Sequence, residues 1–194
     1  MTKAWGMALV AVLLLGISAC GELRYSRVSP EAADFHPRGV AILPADVKTF
    51  PEAKGSIDRI FAEVLTQKKW FEVVGGDAIE RRMFTDEPLR LAVMDYLSKL
   101  GKLSYSDPEL SSKVGLLTGT DAFLLPRVDY WNYTTESDNK VAKVSLSLVM
   151  IDAKTGKTLW TAAHIKASEY MLIKPDLPDV AKDLIRDMVN YMPH

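Results

Sequence analysis

Few residues of this chain have both the chemistry and the spacing to act together. One thiol, Cys20, ends the most apolar stretch, "LLLGISAC". Three imidazoles, His36, His164 and His194, lie far apart and show none of the close spacing of metal ligands. No Gly-x-Ser-x-Gly elbow is present to activate a serine, and "VSLSL" is better explained by strand alternation. The stretches "VVGGDAIE" and "KVGLLTGTD" carry glycines of the kind that cradle phosphates. They lack the G-x-G-x-x-G spacing, and no lysine follows the second glycine. Carboxylates are plentiful, but spacing marks no pair for acid and base work. These residues predict no catalytic group, no metal and no cofactor.

The thiol is explained by what precedes it. Lys3 and the amino terminus make a small positive region, and "MALVAVLLLGISA" follows as an almost wholly apolar run. A membrane-spanning helix needs roughly 20 apolar residues, so the run is too short for an anchor and suits the core of a secretory signal. An ordinary signal would end in an A-x-A-like site, whereas here Ile17-Ser18-Ala19 leads straight into Cys20. That resembles the lipobox of bacterial lipoproteins. The resemblance implies diacylglycerol on the Cys20 sulfur, cleavage before it and an acyl chain on the new amino terminus. Without it, the same residues allow a plain secretory leader followed by a free or core cysteine. Lipidation explains why an exported chain keeps one cysteine, which cannot form an internal disulfide. Two or three acyl chains hold firmly where one holds weakly. Gly21, rather than aspartate, follows Cys20, and by the same resemblance an outer-membrane address facing the periplasm is expected.

Composition bounds the partners. With 24 basic and 25 acidic residues and no long run of either sign, the chain offers no nucleic-acid surface and no polybasic membrane patch. Residues 1–19 read as signal peptide, 20–37 as a lipidated flexible tether and 38–194 as one domain with a real core. The tether "GELRYSRVSPEAADFHP" is polar, carries two prolines and shows no sustained period. Its extended reach is about 60 Å.

The folded part opens on "GVAILP", a continuous apolar run expected in a central strand. Ile57, Ile60, Phe61, Val64 and Leu65 then share one helical face, and "WFEVV" is a second strand, giving a parallel crossover. Helices are expected from "GGDAIERRMF", over residues 87–100 and from "SDPEL", where Pro108 suits a first turn. Three strands joined by two hairpins follow: "DAFLLPRVDYWNY", "KVAKVSLSLVMIDA" and "KTLWTAAHIKAS". A last amphipathic helix carries Leu177, Val180, Leu184, Ile185, Met188 and Val189. The predicted fold is α/β (α+β-like), one mixed sheet of about five strands under helices, in the order β-α-β-α-α-α-β-β-β-α.

Two strings go further. "GTDAFLLPRVDYW" and "SLSLVMIDAKTGKTLWTA" resemble a pattern of periplasmic lipoprotein domains, in which Gly-x-Asp-Ala leads a strand and a later strand ends Asp-x-x-Thr-Gly before Leu-Trp. The matching positions are Gly119, Asp121, Ala122, Asp152, Thr155, Gly156, Leu159 and Trp160. The pattern is similar to that of the group containing the TolB amino-terminal domain, CsgG and LpoB. The resemblance implies the fold, and its motifs are structural: Asp152 and Thr155 cap a turn, Gly156 takes a left-handed conformation and Trp160 covers the sheet. CsgG makes a pore by turning two segments into membrane hairpins. Here "DEPLRLAVMDYLSKLGKLSYS" reads helical.

The expected function is that of a non-enzymatic envelope lipoprotein that binds a protein partner or itself. The alternative is a domain for a small molecule or glycan, or an unrecognised hydrolase. Trp131 and Tyr133, in "DYWNY", are the candidate partner contacts, because simple alternation leaves some of these aromatics exposed near a hairpin end; the alternative is that the aromatics of this string all pack on the sheet or the neighbouring turn.

Overall fold

The computed structural model describes residues 25–75 and 77–194. Its centre is one six-stranded mixed sheet, ordered β1-β6-β5-β4-β2-β3. The strands are β1 (Tyr25–Val28), β2 (Gly39–Ile42), β3 (Glu72–Val74), β4 (Ala122–Glu136), β5 (Asn139–Asp152) and β6 (Thr158–Tyr170). The helices are α1 (Ser56–Lys68), α2 (Asp77–Thr85), α3 (Glu87–Leu103), α4 (Pro108–Thr118) and α5 (Leu177–Val189). β2 is parallel to both β3 and β4, and the other pairings are antiparallel.

β2 is apolar throughout because it is covered on both sides. Val40 and Ile42 belong to one core, with Phe61 and Leu65 of α1 and Leu184, Ile185 and Met188 of α5. Ala41 and Leu43 belong to the opposite core, with Ile79 of α2, Leu89 and Tyr96 of α3 and Val114 of α4. Local signals set the helix ends. The Asp86 carboxylate accepts from the Leu89 N–H at the start of α3, and Asp107 accepts from Glu109 and Leu110 at the start of α4. Gly119 ends α4 at φ 75°, a conformation that favours glycine.

The motif residues hold this frame together. The Asp121 carboxylate accepts from the N–H groups of Arg38 (2.8 Å) and Gly39 (3.2 Å), which fastens β2 to the start of β4. At the β5–β6 turn, Asp152 accepts from the Lys154 N–H and the Thr155 hydroxyl, and Gly156 sits at φ 70°. Trp160 is fully buried and donates its indole N–H to Ser26 at 2.9 Å.

Two expectations need correction here. Residues 25–37 are not all tether. Tyr25–Val28 pair antiparallel with Ala163–Trp160 of β6, adding a sixth strand, and Pro30–Ala32 form a short helix whose Ala32 joins the core. Edge pairing to β6 and the Trp160–Ser26 bond supply an order that the polar residues of β1 do not advertise. The alternation of β4 also fails. Val128 pairs with Leu146 and Tyr130 with Ser145, so Asp129 is an extra residue, a bulge that exchanges the two faces beyond it. Cys20 and the expected signal peptide, residues 1–19, lie outside the described residues.

α5 closes one core together with α1, and Leu184 is fully buried there, so Leu184→Ala should leave a cavity and lower the unfolding free energy by about 3 kcal/mol. Urea denaturation of the purified protein measures this, and an unchanged midpoint would take Leu184 out of the core.

Candidate functional site

The two aromatics expected to meet a partner occupy different environments. Trp131 is 4% exposed and packs in the core shared with α1 and α5. The Asp129 bulge is the reason: it turns Trp131 onto the face that Val128 occupies before it. An accessible Trp131 is thereby corrected. Tyr133 is half-buried on the same face, and it organises the end of the sheet. Its hydroxyl donates to the Pro175 carbonyl oxygen at 2.9 Å. The Lys174 ammonium lies 3.4 Å from its ring centroid, and Tyr170 meets the ring edge-on at 6.2 Å. Burial, reinforced by the charge of Asp176, pushes the Tyr133 phenol above its ordinary value.

These contacts fix the ends of the connection between β6 and α5 and leave its middle in solvent. Met171, Leu172 and Ile173 are 92%, 96% and 86% exposed, three consecutive large apolar side chains at one end of the sheet. The opposing hairpin tip, Ser137-Asp138, turns through two left-handed residues (φ 47° and 70°) beside them, since Lys140 pairs with Tyr170. No site expectation from the sequence fell on Met171–Ile173. The signal was present: three apolar residues in a row, with neither strand nor helix period, followed at once by Lys-Pro-Asp.

The titratable groups elsewhere do not converge. His164 is buried on β6, and the Ser145 hydroxyl donates to its backbone carbonyl. His194 stacks on Trp70 (3.9 Å between centroids, 5° apart) and contacts the Met192 carbonyl. His36 and His194 line a groove of about 410 Å³ with Tyr191 and Asn190, and among the described residues no carboxylate lines it. Among the described residues no three His, Cys, Asp or Glu side chains are placed to hold a metal ion. One buried carboxylate, Asp58 on α1, is shifted upward. Burial pushes it up, and the Glu80 charge adds to that, against the Ala45 N–H that donates to it at 3.0 Å and the Lys54 charge. Lys54 is engaged by Glu80 at 2.8 Å. Asp107 is held below its ordinary value, chiefly by Lys99 and by the N–H groups it caps. Both carboxylates are tied to helix starts and loops, which is structural work.

No family model matches the chain, and no curated protein matches it. Among solved structures, its fold is similar to that of the PelC dodecamer from Paraburkholderia phytofirmans. The two are 16% identical with a TM-score of 0.56, over 87% of this chain and 95% of PelC. Lipoprotein GNA1162 from Neisseria meningitidis aligns over 78% of this chain and 95% of its own, with 14% identity and a TM-score of 0.48. The C-terminal domain of LpoB from Salmonella enterica aligns over 84% and 94%, with 11% identity and a TM-score of 0.31. The likeness to PelC is one of fold. No helix among the described residues is long and apolar enough to cross a membrane.

Two outcomes separate core from surface and test the buried acid. Trp131→Ala should cost about 3–5 kcal/mol of stability, whereas Tyr133→Phe, which loses one hydroxyl bond, should cost about 1 kcal/mol. Denaturant melts of both variants check this, and equal costs would mean the indole is not core. For Asp58 the folded carboxyl binds its proton more tightly than the unfolded one. Unfolding therefore releases a proton between the two values, and stability falls as pH rises through that window. Asp58→Asn keeps an acceptor for Ala45 but has no charge to bury. Its stability relative to wild type should rise from about pH 4 upward and then level off. A pH-independent difference would contradict the burial argument.

Proposed function

We propose that this protein is a lipid-anchored component of the bacterial cell envelope that works by binding and assembly rather than by catalysis. Cys20 carries the anchor, the outer membrane is the address, and the α/β domain faces the periplasm. The observation that carries the reading is the combination of two features in one chain. A leader ends in Ile17-Ser18-Ala19-Cys20, and the domain behind it shares its fold with PelC, a protein crystallised as a dodecamer. Self-association is accordingly the first mode of assembly to test. Large apolar side chains remain exposed at several places on the helices, among them Phe84, Leu91 and Met94, and such surface suits contact with other chains.

The experiment has two arms. Cells fed labelled palmitate should incorporate it into the wild-type chain and not into Cys20→Ala, which should accumulate as the longer precursor. Unlabelled wild-type protein would end the lipoprotein reading. In the second arm, detergent-extracted wild-type protein is sized by light scattering after brief crosslinking. An oligomer of defined number supports assembly; a monomer across the whole accessible concentration range would leave only heterologous partners.

A further inference from the structure

We infer that Met171, Leu172 and Ile173 form a membrane-seating loop, entering the interfacial layer of the same bilayer that holds Cys20. The inference rests on the lipid-anchored reading of Cys20. It adds which end of the domain meets the lipid and through which residues.

β1 runs antiparallel to β6, with Val28 at the level of Trp160 and Tyr25 at the level of Ala163. Followed back towards Cys20, the chain is therefore heading for the end of the sheet where β6 finishes at Tyr170. From Ala163 to Tyr170 the strand advances about 23 Å. Five residue steps separate Tyr25 from Cys20, and extended chain covers at most about 17 Å in that distance. A bilayer holding Cys20 lies close to the domain, on the side to which β1 points. The exposed Met171-Leu172-Ile173 run stands at that end.

The surroundings fit an interface. Tyr170 and Tyr133 stand immediately behind the loop, the aromatic type that settles at headgroup level, and Lys174 lies over the Tyr133 ring. The loop is pinned at its far side by the Tyr133–Pro175 bond, so little further ordering is needed for its tip to enter lipid. Fixed charges at this end are mixed: Lys140 and Lys174 stand against Glu136, Asp138, Glu169 and Asp176. Attraction to anionic headgroups is therefore not the driving force. Apolar transfer is, and seating should be insensitive to salt and to anionic lipid.

Lipidation consumes the Cys20 thiol, so Leu172→Cys in the full chain supplies the only free thiol for an environment-sensitive nitrobenzoxadiazole label. Leu116→Cys, on α4 and 81% exposed, is the control. Both lipidated proteins are reconstituted in phosphatidylcholine vesicles, some with nitroxide on the acyl chains, and floated to verify anchoring. The label at 172 should emit further to the blue than the label at 116 and lose most of its intensity to the nitroxide, at low and high salt alike. Protein that floats while the 172 label behaves like the 116 label overturns the inference and leaves the anchor standing. Protein that fails to float removes the anchor and the inference together. A blue-shifted 172 label that the nitroxide cannot reach is covered by protein, by a second copy or a partner, and also overturns it.

Discussion

Val128 pairs with Leu146 and Tyr130 with Ser145, so Asp129 stands in β4 with no residue opposite it in the β5 register. Side chains alternate along a strand with a period of two, and one extra residue exchanges the faces of all that follow. Before the bulge, Ala122, Leu124 and Val128 face α1 and α5; after it, Trp131 and Tyr133 do. Without it the indole would lie on the side of Phe123, and Tyr133 would turn away from Pro175. The bulged residue is held where it is: the Asp129 carboxylate accepts from the Arg127 guanidinium at 2.7 Å and from the Ser147 hydroxyl. The buried Trp131 and the pinned loop at the sheet's end both depend on this one residue.

The scaffold was legible because burial on two sides or one leaves a period in the residues. The unbroken apolar run of β2, the helical stripes of α1 and α5 and the alternation of Val144, Leu146, Leu148 and Met150 all mark their elements. Asp107-Pro108 and Gly119 mark the two ends of α4. The motif positions were legible for a different reason. Asp121, Asp152 and Gly156 satisfy backbone groups or left-handed turns, and those demands select residue types at fixed spacing.

What escaped is what the period does not record. A bulge adds a residue without changing composition, so "RVDYW" gives no local sign of it. The four residues of β1 are mostly exposed and have no apolar stripe; they are a strand because β6 offers an edge and Trp160 a donor for Ser26. Both misses come from partners distant in sequence, 134 residues away in the Trp160–Ser26 bond. The exposed apolar run escaped for a related reason. Aromatic residues drew attention to β4, whereas the exposed apolar residues lie on a connection that strand and helix patterns pass by.

Met171, Leu172 and Ile173 are as exposed in the folded chain as they would be in the unfolded one, so they contribute almost nothing to the hydrophobic stabilisation of the fold. In water such a run lowers solubility and gains no packing in return. Folding therefore gives no account of them, and the account has to come from something the domain meets. The fold narrows what that is. The loop ends directly at the Asp176 cap of α5, is tied back to Tyr133 and stands at the end of the sheet that the Tyr25 side of β1 faces. A partner reaching this end would have to share it with the bilayer that a lipidated Cys20 brings there. The other end, where α2, α3 and α4 cover the short parallel strands, would be held away from that bilayer and left open to other chains.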